Sequence, residues 1–315
     1  MTGADAAAIG VVVVHYGTDE LTLRCLRSLL DDAVSPPTRI VLVDNGPGDG
    51  VAARVRAELP EVDVVVPGTN TGFARGCNLG IAALGPVDLV ALVNSDAVVR
   101  PGWLRPLVAA LDADLTRGAA VPKVLFEEPV GVIANAGVEW RADGYGLDRG
   151  GSDPDDGRYD QAVDITAWSG GAVLLRGDYL RDVGPFDERL FLYYEDLELG
   201  LRGAARGWRY RYEPASVVEH RQGASSTGDT GFAERLKERN RLLVLARHGS
   251  PGRLGRELVR FVAITGSYLL RGDRPRGPVV TMRARALAGA VVGLPGALRS
   301  RRRDAGRRRG MPPLA

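Results

Sequence analysis

Residues 9–16 read IGVVVVHY. From 9 to 14 the run is apolar and mostly β-branched, the pattern of a strand buried on both faces within a parallel sheet. It then stops on two polar side chains, His15 and Tyr16. The same punctuation recurs downstream. A second strand over 40–43 closes on Asp44-Asn45. A third covers 62–66, a fourth over 89–93 closes on Asn94-Ser95-Asp96, and a fifth covers 119–124. Helical spacing fills the intervals. Leu21, Leu23, Leu26, Leu29 and Leu30 follow Thr18 and Asp19, and further helices are predicted over 51–59, over 73–84 and from Pro101. This alternation predicts an α/β fold, an open and mostly parallel sheet flanked by helices, with ligands outside the carboxyl ends of the strands.

Beyond 125 the alternation dissolves. Residues 126–165 are rich in Gly, Asp and Arg and read as a long, mobile, solvated loop. Its five aspartates between 148 and 160 lack EF-hand spacing. Order returns at 166–175, a small-residue turn into a strand. Next comes the densest cluster of the chain, FDERLFLYYEDLELGLR at 186–202, where Glu195 and Asp196 fall in the first turn of a helix over 195–205. Strands over 208–212 and 216–218, the latter followed by Glu219-His220, and a charged helix over 232–248 complete the body.

The composition narrows the class. The chain has 315 residues, 45% hydrophobic and 25% charged, which excludes a disordered, collagen-like or multi-span membrane protein. The net charge of +2 hides a split: residues 251–315 hold 15 basic and 3 acidic side chains, a net of +12, which leaves −10 for residues 1–250. Two cysteines, Cys25 and Cys77, are too few for a disulfide framework, so a reducing cytoplasm is expected. No basic n-region precedes the first strand, so no signal peptide is expected. No apolar run reaches the roughly 18–20 residues of a spanning helix.

The ordered blocks VVVVHYG (11–17), VDNGPGDG (43–50), NTGFARGCNLGI (70–81), ALVNSDAVVRPGWL (91–104), WSGGAVLLR (168–176), GPFDERLFLYYEDLELGLR (184–202), VVEHRQGAS (217–225) and ERNRLLVL (238–245) resemble glycosyltransferase family 2, inverting enzymes of the GT-A fold. The likeness is greatest to its rhamnosyltransferase-like branch. It implies a catalytic domain over 1–250, with a nucleotide-binding half at 9–125 and an acceptor half at 166–248, then a basic, partly apolar helical extension over 251–315. It further implies transfer of a hexose, rhamnose from dTDP-rhamnose as first choice, to a hydroxyl on a glycan, a lipid-linked glycan or a secondary metabolite. A UDP-hexose donor, or a degenerate member that binds without turnover, are the alternatives.

The resemblance also assigns residues. Asp44 would contact the nucleoside, His15 and Tyr16 would line the base pocket, and Arg75 and Asn78 would approach the nucleotide. Asn94 and Ser95 would face the donor diphosphate beside Asp96, which, with His220, would hold Mg²⁺ or Mn²⁺. Asn94 stands where the stricter motif carries a carboxylate, which puts an absolute metal requirement in question. Asp196 would be the general base, with Glu195 beside it. Trp168, Gly170 and Gly171 would meet the acceptor. Blander readings stand beside these: Asp44 and Asp96 as caps, His220 closing a strand, Glu195-Asp196 as a capping pair, Trp168 as core. The arginine run at 299–310 has no interleaved aromatics, which argues against nucleic acid. It suits an anionic membrane surface at the inner face, or a solvated terminus. The oligomeric state stays open.

Overall fold

The computed structural model describes residues 7–35, 37–47, 50–221, 230–270 and 276–306. Four strands, β1 (Ile9–His15), β2 (Arg39–Asp44), β3 (Val62–Val65) and β4 (Leu89–Asn94), pair in parallel in the order β3-β2-β1-β4. Their connections are the helices α1 (Asp19–Leu30), α2 (Gly50–Glu58) and α3 (Gly72–Leu84). Side chains alternate across a strand, so β1 feeds two cores. Val11 and Val13 pack with Leu23, Leu26 and Leu29 of α1, whereas Val12 packs with Ala74, Cys77 and Leu84 of α3. Helix α3 lies close on β1 because Gly76 and Gly80 carry no side chain. A Cβ on Gly80 would stand 2.2 Å from Val12 Cγ1, and one on Gly76 2.8 Å from Val14 Cγ1.

Past β4 the sheet becomes mixed. After the short β5 (Ala97–Val99) and α4 (Leu104–Asp112) comes β6 (Arg117–Phe126). The strand β11 (Ala172–Arg176) inserts antiparallel between β4 and β6, and β12 (Arg209–His220) runs parallel to β6 on its far side. The predicted strands over 208–212 and 216–218 are thus one strand. Its register slips between Glu213 and Val217, around Pro214, which has no N–H to give the ladder. The helices α5 (Gly177–Val183) and α6 (Glu195–Ala204) follow β11.

The expectation of a mobile loop over 126–165 is corrected. This segment holds β7 (Ile133–Asn135), the hairpin β8 (Val138–Trp140) and β9 (Gly146–Asp148), and β10 (Val163–Ile165) on the sheet edge. Charges that looked solvated in sequence find partners. Asp155 and Asp160 converge on the buried Lys123, and Arg149 lies over the rings of Tyr159 and Tyr212. Three helices close the chain: α7 (Thr230–His248), α8 (Pro251–Leu270) and α9 (Arg276–Ala305). α9 packs along α7, burying Ala290 and Ala297, and Arg247 of α7 reaches Asp304 at 2.7 Å. Among the described residues no helix is long and apolar enough to cross a membrane. The last arginines of the basic run, 307–309, lie outside the described residues.

Candidate active site

Buried parallel strands deliver their polar carboxyl ends to one rim of the sheet. Asp44, at the end of β2, is buried. Its Oδ1 accepts from Gly46 N–H (2.9 Å) and its Oδ2 from Ala52 N–H (3.2 Å) in the first turn of α2, so it caps that helix. His15, at the end of β1, is buried as well. Its Nδ1 lies 2.8 Å from Thr22 Oγ1 and its Nε2 3.2 Å from Asp19 Oδ1 and 3.9 Å from Asp44 Oδ1. Burial lowers the pKa of the imidazole, against the pull of the two carboxylates, and favours its neutral form. Tyr16 projects beyond it and is exposed.

At the end of β4, Ser95 Oγ sits 3.1 Å from Thr18 Oγ1, while Asn94 and Asp96 both meet His220 from the end of β12. His220 Nε2 is 2.8 Å from Asp96 Oδ1 and 3.3 Å from Asn94 Nδ2. One carboxylate, one imidazole and one amide carbonyl suit Mg²⁺ or Mn²⁺ chemistry. Among the described residues no group of three or more His, Cys, Asp or Glu side chains assembles. A cation here would therefore draw its remaining oxygens from elsewhere, as a diphosphate supplies them. The residues fit such an ion when it arrives with a phosphate-bearing ligand.

The carboxylate pair opens α6. Asp196 accepts at Oδ2 from Gly170 N–H (2.9 Å) and at Oδ1 from Leu197 N–H (2.7 Å). The neighbouring peptide turns the other way: Gly171 C=O accepts from Asn94 N–H at 2.9 Å. Two consecutive glycines thus tie the Asp196 carboxylate to the Asn94–Asp96 strand end. A Cβ on Gly170 would crowd Phe73 Cε1 at 3.0 Å. Burial, opposed by the two N–H bonds and reinforced by the charge of Asp148, raises the Asp196 carboxyl above the ordinary aspartate range. Glu195 is buried, and its Oε2 has no hydrogen-bond partner among the described residues. Burial first and Asp196 second push it well above the usual carboxylate range.

Several expected contacts take a different form. Trp168 is 0% exposed and packs edge-on against Phe186 in the core beneath β11, so it offers no face to a sugar. Asn78 has both amide atoms engaged: Oδ1 accepts from Phe186 N–H, and Nδ2 donates to Phe186 C=O and Glu188 Oε1. It pins α3 to the 186–188 segment rather than facing a nucleotide. His15 supports the strand ends from beneath rather than lining an open pocket, because Thr22, Asp19 and Asp44 enclose it. Arg75 is exposed, with Glu188 Oε2 at 3.9 Å.

The family model described as glycosyltransferase-like family 2 matches residues 6–243. The chain belongs to this family. Among curated relatives, an N-acetylglucosaminyl-diphospho-decaprenol L-rhamnosyltransferase of Mycobacterium tuberculosis is 30% identical over 69% of this chain and 77% of its own length. A pre-mycofactocin glycosyltransferase of the same species is 29% identical over 58% of this chain and 37% of its own. Among solved structures, GalNAc-T7 with UDP, GalNAc and Mn²⁺ superposes with a TM-score of 0.64 at 15% identity, covering 90% of this chain and 55% of that one. The mannosyltransferase PcManGT of Pyrobaculum calidifontis, with GDP-Man and Mn²⁺, gives 0.52 at 17%, covering 95% and 74%. The chain is a glycosyltransferase of the GT-A fold, on the branch with rhamnosyltransferase relatives.

Further residues to which the sequence assigned no role build the surroundings of this site. Phe191, Tyr193 and Tyr194 all have positive φ (66°, 68° and 73°), a costly backbone for such side chains, directly before the carboxylate pair. The buried Asn240 of α7 holds this segment: its Nδ2 donates to the carbonyls of Leu190 (2.9 Å), Leu192 (2.9 Å) and Tyr193 (2.7 Å). Asn45 does similar work beside Asp44, bonding Gly72 C=O and Thr71 Oγ1 at the start of α3. Asp148 of β9 accepts from Asn135 Nδ2 (2.6 Å) and interacts electrostatically with both Asp196 and His220. No signal in the chain marks Asp148. Asn240 lies in the ERNRLLVL block, which carried no role.

Proposed function

We propose that this glycosyltransferase moves rhamnose, with inversion, from dTDP-rhamnose to a hydroxyl of a sugar carried on a lipid diphosphate. The observation that carries the reading is the pair of glycine peptides. Gly170 N–H holds the Asp196 carboxylate while Gly171 C=O holds Asn94, so a base and a diphosphate-facing strand end share one rigid link. An inverting transfer needs that pairing: one group to take a proton, and another place to receive the leaving diphosphate. In the reaction the acceptor oxygen bonds to the anomeric carbon and passes its proton to Asp196. The bond from that carbon to the diphosphate oxygen breaks, and dTDP departs. Asp44, Asn94, Ser95 and Arg75 would position the donor, and Gly170 and Gly171 would leave room for the acceptor. A divalent cation bound by Asp96 and His220 would supply charge neutralisation for the departing diphosphate.

The Mycobacterium tuberculosis relative, whose name specifies a diphospho-decaprenol acceptor and L-rhamnose, supports donor and acceptor class. Work at the inner membrane face follows from such an acceptor. The arginine-rich helices α8 and α9 would lie on anionic lipid there, with Val259, Val262 and Val292 exposed toward it.

A nucleotide-sugar panel read by thermal shift identifies the donor, since a ligand of the native state raises Tm. Turnover with Mn²⁺ and with chelator then tests the metal. Asp196→Asn should lower kcat by about 10²–10⁴-fold while donor binding persists. Near-normal turnover of this variant would sink the assignment of the base.

A further inference from the structure

The hairpin of β8 and β9 joins two places. At its base Val138 pairs with Ala167, three residues before Gly170, and packs with Leu197 beside Asp196. Its tip, residues 141–145, lies against the start of α8 and lines an open pocket of about 400 Å³ with Arg141, Asp143, Arg256, Glu257 and Arg260. The tip is firmly built. The buried Arg253 donates to the carbonyls of Arg141 and Ala142 (both 2.8 Å) and lies over the ring of Trp140, and the buried Arg241 donates to Asp143 C=O (2.6 Å).

The pocket has surplus positive charge. Glu257 lies 3.4 Å from the buried Arg241 and 3.8 Å from Arg260, so two carboxylates, Asp143 and Glu257, face three rim arginines and Arg241. Arg141 reaches Asp143 at 3.3 Å, but Arg260 only at 3.9 Å. Among the described residues Arg256 meets no carboxylate. Forked guanidiniums around a wide opening are matched to a phosphate group. From this pocket α8 presents an uncovered apolar stripe, Val259, Val262, Ala263 and Leu269, of which Val259 is 72% and Leu269 57% exposed.

We infer that the pocket of Arg141, Arg256 and Arg260 binds the diphosphate of an isoprenoid-diphosphate acceptor, with the isoprenoid chain along the apolar stripe of α8. The inference deepens the lipid-diphosphate reading above and rests on it for the acceptor class. The scale suits it. The hairpin from Asp148 to Arg141 spans three residue pairs, roughly 10 Å at about 3.3 Å per residue. One short, rigid hairpin therefore joins the pocket to the start of α6.

The test uses the full chain with farnesyl diphosphate, inorganic diphosphate and anionic phosphatidylglycerol vesicles as probes. Replacing Arg141, Arg256 and Arg260 together by Ser should weaken farnesyl diphosphate binding by at least about tenfold, the scale of one or more lost charge-assisted bonds. The double variant V259D/V262D should weaken farnesyl diphosphate but leave inorganic diphosphate unchanged. Both variants should keep the wild-type thermal shift with the donor nucleotide, which shows that they fold. An unchanged affinity for farnesyl diphosphate in the triple variant overturns the inference. So does a loss confined to the vesicles, which would make the pocket a headgroup contact. Transfer from no donor, with farnesyl diphosphate binding intact, would instead overturn the rhamnosyl reading and leave the pocket standing.

Discussion

At Asp196 two N–H donors compete with burial and with the charge of Asp148, and the balance leaves its pKa raised. As the proposed base, Asp196 would work only when deprotonated, so kcat/KM should fall as pH drops through this raised value, with its acid limb above the ordinary aspartate value of 3.8. Asp148→Asn removes a negative charge that opposes ionisation, and should move that limb to lower pH. A pH profile of the two proteins checks this; coincident limbs would show that Asp148 is not coupled to the base. Burial and the neighbouring Asp196 raise Glu195 further still. The Asp44 carboxylate spends both oxygens on backbone N–H groups around the start of α2, which rigidifies the rim at the end of β2. The sequence offers capping and nucleotide contact for Asp44 as alternatives, but not its burial or its two backbone donors.

At the level of elements, strain before α6 is offset by α7. Asn240 gives its amide to three carbonyls around the positive-φ segment; Leu190 C=O keeps Arg239, so Asn240→Leu leaves the carbonyls of Leu192 and Tyr193 without this donor, at about 1–3 kcal/mol for each. The expected signature is a kcat that falls well beyond any change in donor Kd, since the donor strand ends are untouched. Equal losses in both would point to general unfolding. The seating of α3 is as demanding. Gly80→Ala gains up to about 1 kcal/mol of helix propensity. It also drives a methyl to within 2.2 Å of Val12 Cγ1 in a close-packed core, where overpacking costs about 1–3 kcal/mol. The clash prevails, and denaturant titration should give a lower midpoint; a higher one would mean that α3 can move off β1 freely.

Across the whole molecule the near-zero net charge resolves into an acidic body and a basic C-terminal pair of helices, which Arg247 links by pairing with Asp304 of α9 and with Glu198 of α6. Burial alone would raise this carboxyl, but Arg202, Arg247 and His248 hold it below the usual range. The unfolded chain therefore takes up a proton near 4.5 that the native state refuses. Stability from this site is complete above that pH and is lost as pH falls below it toward the depressed native value. Glu198→Gln should flatten that acid dependence and cost up to about 3–5 kcal/mol at neutral pH, because Arg202 loses its carboxylate while Arg247 keeps Asp187 and Asp304. Thermal melts between pH 3 and 7 read both effects.

The strands, helices and polar strand ends of the first 125 residues were legible because buried parallel strands and amphipathic helices write their period into local sequence. The order within 126–165 was not, because its charges are satisfied by partners far along the chain, such as Lys123 for Asp155 and Asp160. The core position of Trp168 and the clamp of Asn240 were hidden for the same reason. Sequence by itself determined the α/β class and which chemistry-bearing side chains exist. Only the tertiary structure decided which of them are buried, which face one another and which are spent holding backbone, since those outcomes depend on contacts between residues up to a hundred and more positions apart.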